Sequence, residues 1–87
     1  MKVMLSWTVR PERRNESLNR LKTSGDGNGD GIQFLAEWHN VNLLGGWAVV
    51  EVDSEAALAR FLSGWTDISI NEVAIVTDVD VVRSLIP

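Results

Sequence analysis

Between Gly25 and Gly31 every second residue is glycine, with Asp26, Asn28 and Asp30 in the gaps. Neither a helix nor a strand runs through such a stretch. Glycine loses more chain freedom on ordering than any other residue, and Asp and Asn side chains favour turns. The run therefore divides the 87-residue chain into two stretches that must each be read by its own periodicity. It also fits the calcium-loop pattern D-x-[DN]-x-[DN]-G-x5-E, with Asp26, Asn28, Asp30, Gly31 and Glu37 in place. In such a loop Asp26, Asn28, Asp30 and Glu37 supply side-chain oxygens and Ile32 its carbonyl. Three features oppose that reading. Glu37 falls in a segment that alternates like a strand, Thr23-Ser24-Gly25 separates the preceding helix from Asp26, and the loop has no second copy to support it. A polar connector from helix to strand is the preferred reading, with calcium binding at Asp26–Glu37 as a lesser alternative.

On the near side of the run, Val3, Leu5 and Trp7 alternate with Met4, Ser6 and Thr8, the period of a strand. Pro11 closes it and suits the first turn of a helix over Glu12–Lys22, in which Leu18 and Leu21 are the clear apolar anchors. On the far side, Ile32, Phe34, Ala36 and Trp38 alternate with Gln33, Leu35, Glu37 and His39. Leu43–Gly46 reads as a turn and Trp47–Val52 as the returning strand of an antiparallel hairpin. Asp53 or Ser54 caps a helix whose Leu58, Phe61, Leu62 and Trp65 fall at i, i+3, i+4 and i+7, one apolar stripe. Ile68–Thr77 reads as a last strand, and Asp78 or Asp80 starts a short helix through Leu85.

The order β-α-β-β-α-β predicts an α+β, ferredoxin-like domain over residues 1–87. Four antiparallel strands carry two helices on one face. Every strand has apolar residues on both faces, so the second face needs cover. A second copy of the chain supplies it most simply, giving a homodimer built as a dimeric α/β barrel.

Composition narrows the partners. The net charge is −4, whereas phosphate binding needs a basic stripe, so no nucleic-acid partner is expected. With no cysteine, the chain forms no disulfide, thiolate metal site or thiol nucleophile. No run approaches the ~20 apolar residues of a membrane span. Met1–Trp7 is too short for a signal-peptide core. A soluble, cytoplasmic protein with no membrane partner is expected.

Over nearly its whole length the chain resembles a family of short bacterial proteins known only as a domain of unknown function, within the dimeric α/β barrel superfamily. The resemblance is carried by the opening strand ending at Trp7, Gly29-Asp30-Gly31, Trp38-His39, Gly46–Asp53, Ala56-Ala57-Leu58, Trp65 and Val73–Asp78. Relatives often carry a proline in the last strand where this chain has Ala74-Ile75-Val76. The resemblance implies the fold and brings no established activity with it.

Strand period alone puts Val3, Leu5, Trp7, Ile32, Phe34, Ala36, Trp38, Ala48, Val50 and Val52 on the helix-facing side. Ser6, Glu37, His39, Trp47 and Glu51 then share the other side. That set holds the one histidine, two carboxylates, a hydroxyl and an aromatic wall. Histidine titrates near neutrality and a neighbouring carboxylate orients it. His39 is thus the candidate acid/base, Glu37 or Glu51 its partner, and Ser6 and Trp47 candidate ligand contacts. No cofactor and no metal site is expected, because His39, Glu37 and Glu51 lack any ligand-motif spacing. The preferred function is a homodimeric module with a small-molecule pocket or interaction surface. The alternative is a cofactor-free monooxygenase- or isomerase-like enzyme acting on a small organic substrate.

Overall fold

The computed structural model describes residues 1–25 and 27–87. Asp26, the first position of the calcium-loop pattern, lies outside the described residues. The described chain forms β1 (Lys2–Val9), a 3-10 turn (Pro11–Arg13), α1 (Arg14–Thr23), β2 (Ile32–His39), β3 (Gly45–Val52), α2 (Glu55–Ser63), β4 (Ser69–Ile75) and α3 (Val79–Ser84). The strands make one antiparallel sheet of order β2-β3-β1-β4. This is the expected α+β arrangement. The first helix starts two residues later than expected, because Pro11 sets a 3-10 turn ahead of it.

The core lies between one sheet face and the helices. Val3, Leu5, Ile32, Ala48, Val50 and Val52 are buried there, with Trp7, Phe34, Leu58, Phe61 and Leu62 packed against them. Burying side chains of this kind contributes about 1.5–3 kcal/mol each. Helix α2 supplies most of the cover. Its start is fixed by Ser54, whose Oγ accepts from the Ala57 amide at 3.1 Å. Buried Ala57 lies so close to the turn before β2 that a Cβ on Gly31 would come within 2.8 Å of its own Cβ. Gly31 also holds φ at +76°, and Gly29 and Ile32 exchange backbone hydrogen bonds across this turn. A glycine is therefore required at 31 by both conformation and packing. Helix α1 is different: it buries no residue.

Two corrections follow in the hairpin. Gly45 and Gly46, read from sequence as part of a turn, belong to β3. The reversal is made earlier, around Leu43 at φ +66°. Both glycines lie where neighbouring backbone leaves no room for a Cβ, against Trp7 for Gly45 and against Trp38 for Gly46.

The second correction concerns β2. Phe34 pairs with Val50 but Ala36 pairs with Val49, so Leu35 is an extra residue, a β-bulge. Directly opposed residues of an antiparallel pair share a face. Ahead of the bulge, Ile32 and Phe34 face the helices as expected. Beyond it the alternation is reversed: Glu37 opposes Ala48 and His39 opposes Gly46, on the helix side. Ala36 opposes Val49 and Trp38 opposes Trp47, on the open side. The assignment of Ala36 and Trp38 to the core, and of Glu37 and His39 to the open face, is overturned.

Candidate functional site

The bulge breaks the predicted constellation into two groups. Ser6 and Trp47 are direct cross-strand neighbours on the open face. Glu51 lies further along β3 on that face and forms a 2.5 Å ion pair with the N-terminal ammonium. Glu37 and His39 are on the other side of the sheet, so Glu51 is no partner for His39. Glu37 is: His39 Nε2 and Glu37 Oε2 are directly hydrogen-bonded. An ionised carboxylate has no hydrogen to give, so Nε2 carries the proton of this bond. In the neutral imidazole the lone pair then resides on Nδ1, for which the described residues provide no partner.

This pair sits in the wall of a cavity of about 290 Å³ between the sheet and the helices. The sheet contributes Leu5, Trp7 and Val9 from β1, Phe34, Glu37 and His39 from β2, and Ser69 and Asn71 from β4. Helix α1 contributes Ser17, Leu18 and Leu21, while Phe61 and Trp65 close the α2 side. The two leucines expected to anchor α1 into a core instead border this space. The Glu37 and His39 side chains are 29% and 35% exposed, which places them at the mouth.

One row of residues crosses the sheet under the cavity: His39, Gly46, Trp7 and Asn71, one from each strand in spatial order. Gly46 explains how the row works. A Cβ there would lie 2.6 Å from Trp7 Cζ2. The missing side chain lets the indole lie across β3 and meet His39 edge-on, with ring centroids 5.5 Å apart. Trp7 was read from sequence as core filling. It is half-buried and borders both the core and the cavity. At the far end of the row, Asn71 Nδ2 donates to Ser69 Oγ at 2.8 Å, and Ser69 Oγ donates to the Trp65 carbonyl at 3.0 Å.

No residue of α1 is fully buried, and polar contacts add to the partly buried Leu18 and Leu21 in holding it over the cavity. Arg20 donates from Nη1 and Nη2 to the two oxygens of Asp67 at 2.7 and 2.6 Å, and from Nη1 to the Gly64 carbonyl at 2.8 Å. This fork ties α1 to the segment between α2 and β4. Hydrogen bonding from Arg20 pulls the Asp67 carboxyl down to about 2, and the same bond raises the Arg20 guanidinium. Glu16 is lowered mainly by its bond from Arg13.

The described residues of the calcium pattern are engaged otherwise than in a calcium loop. Asn28 Oδ1 accepts from the Phe34 amide at 2.7 Å, Glu37 is engaged with His39, and a strand follows where a helix would be required. Among the described residues no group of three or more His, Asp or Glu is placed to hold a metal ion.

The fold and the site together define a small ferredoxin-like α+β domain with an aromatic-walled cavity under its helices. The chain belongs to the family described as domain of unknown function (DUF3303), whose sequence profile it matches over residues 1–86. No curated protein matches it.

Proposed function

We propose that the chain is a small-molecule-binding module that takes a compact, mainly apolar organic ligand in the cavity beneath α1 and α2. The observation that carries this reading is the Glu37–His39 pair lodged in a mostly aromatic and aliphatic wall. Protein interiors leave few voids larger than a water, and a small number of polar groups in an apolar concavity is the pattern of ligand sites. The volume lies at the lower end of the ~300–1,000 Å³ of such sites. His39 is the one histidine of the chain, so its imidazole resonances need no assignment. Titration with ring compounds such as 2-naphthol should shift them saturably. Resonances that stay fixed at millimolar concentration would end this reading.

A second reading is favoured by the orientation of the imidazole. With Nε2–H held by Glu37, Nδ1 is the basic nitrogen, so the pair suits proton abstraction from a weakly acidic O–H or C–H without a cofactor. The wild-type protein should speed deuterium exchange at the α-carbon of 2-tetralone in D₂O, and His39→Ala should return the rate to that of buffer. Equal rates for both proteins would eliminate catalysis and leave binding intact.

The open sheet face supports pairing with a second copy. Trp38 and Trp47 oppose each other there and are 58% and 48% exposed, with Met4 and Ile70 exposed beside them. Aromatic side chains can each bury ~150–250 Å², a useful part of the ~800 Å² per partner of a standard interface. Light scattering should give twice the 9.6 kDa chain mass, and Trp47→Glu should give the monomer. A wild-type monomer at 100 µM would refute the homodimer.

A further inference from the structure

We propose that the cavity selects an uncharged, flat, ring-bearing molecule with a hydrogen-bond donor at each of two opposite ends, as in an aromatic diol, and rejects anions. This rests on the binding reading above and adds the chemical class. Most polar groups of the wall are already paired with one another. Ser69 is satisfied on both sides, donating to Trp65 and accepting from Asn71. Ser24 donates to the Leu21 carbonyl.

Two functions at the ends of the cross-sheet row remain, besides the Ser17 hydroxyl on the α1 side, which has no hydrogen bond among the described residues. Neutral His39 presents the Nδ1 lone pair, because Nε2 is taken by Glu37. Asn71 presents Oδ1, because its amide nitrogen is turned to Ser69. Neither atom has a partner among the described residues, and no fully buried polar side-chain atom there is unsatisfied, so Oδ1 reaches open space. Both ends therefore ask the ligand for donors.

Charge gives the second constraint. Among the described residues the lining contains Glu37 and no lysine or arginine. A carboxylate or phosphate entering it would lose water, gain no cation and face a carboxylate, which is unfavourable in an apolar cavity. Shape gives the third. His39 and Asn71 stand on the two edge strands, three strand spacings of ~4.8 Å apart, and the Trp7 indole lies between them. A flat ring over that indole gains aromatic contact while its two ends reach the two acceptors.

The test compares 2,6-dihydroxynaphthalene, 2-naphthol and naphthalene-2,6-dicarboxylate by calorimetry at pH 7.5, with the His39 resonances as the site reporter. One additional hydrogen bond corresponds to about tenfold in affinity, so the diol should bind about tenfold more tightly than 2-naphthol. The dicarboxylate should not bind. Asn71→Leu should remove the tenfold advantage of the diol over 2-naphthol measured on the same variant, with its circular dichroism melt as the control for folding. Asn71→Asp keeps an acceptor and should keep most of the diol's advantage. Equal affinities for diol and 2-naphthol would overturn the role of Asn71. A dicarboxylate that binds as well as the diol would overturn the class and leave the cavity reading standing. If none of the three moves His39, the cavity reading fails, and the class with it.

Discussion

Gly46→Ala tests whether the sheet row under the cavity is built as described. The new Cβ would sit 2.6 Å from Trp7 Cζ2 and also inside contact distance of the Trp38 carbonyl oxygen. A flexible side chain could swing away from the first clash, but the indole is packed against the core and against His39. The carbonyl belongs to β2, which is paired along its length with β3, so only a backbone shift relieves the second clash. Overpacking of this kind costs about 1–3 kcal/mol, and a clash with backbone puts the cost in the upper half of that range. For a domain of this size, 2–3 kcal/mol lowers the melting temperature by roughly 10–20 °C. Circular dichroism melts measure the loss, and the His39 resonances should move as the indole is displaced. Trp7→Leu removes one of the two clashes, so the double variant should be more stable than the sum of its parts by about 0.5 kcal/mol or more. A Gly46→Ala protein that melts within about 2 °C of wild type with unmoved His39 signals would refute the account of how Trp7 reaches His39.

Three further outcomes are expected. Ser54→Ala removes the acceptor for the Ala57 amide at the start of α2 and should cost about 1 kcal/mol, or about 4–8 °C in a thermal melt; an unchanged melt would show that the cap contributes nothing. Asp67 has its folded pKa lowered from 3.8 to about 2 by Arg20. Its contribution is therefore present in full above about pH 4 and is lost as pH falls through about 2, so the protection factors of the α1 amides, corrected for intrinsic exchange at each pH, should fall over that window. Asp67→Asn should exchange fast at all pH values, and a wild-type profile flat across the window would contradict the tie. Millimolar calcium should leave the melting temperature unchanged, whereas a rise abolished by Asp26→Ala would restore the calcium-loop reading.

The order and type of the elements were legible because local signals agreed: alternation in β1, the Ser54 cap, Leu58, Phe61 and Leu62 on one face of α2 (Trp65, expected to continue that stripe, lies in the turn after the helix), and the breaker at Gly25–Gly31. The reversal of faces in β2 was not, because period 2 holds only while pairing is one-to-one. A signal was nevertheless present. Phe34-Leu35-Ala36 is a run of three apolar residues that a strictly alternating, half-buried strand has no reason to contain, and the bulge falls on its middle residue. The Gly45-Gly46 pair likewise reads as a turn when taken locally. It belongs to a strand because Trp7, some forty residues earlier, lies across it. The Glu37–His39 pair was identified from residue type and proximity alone. Its separation from Ser6, Trp47 and Glu51 follows from the bulge, and Asn71 was missed because nothing local marks its place in the row with Trp7.

On the reading proposed above, the helix-side cavity, and not the open sheet face, receives a small ligand. An NMR titration of the uniformly labelled protein with 2-naphthol tests it most directly, because the two faces carry different aromatic reporters. Saturable shifts are expected at His39, the Trp7 indole and Phe61, with intermolecular NOEs to Trp7. Shifts confined to Trp38 and Trp47, or no shift at any of these side chains, would contradict that reading.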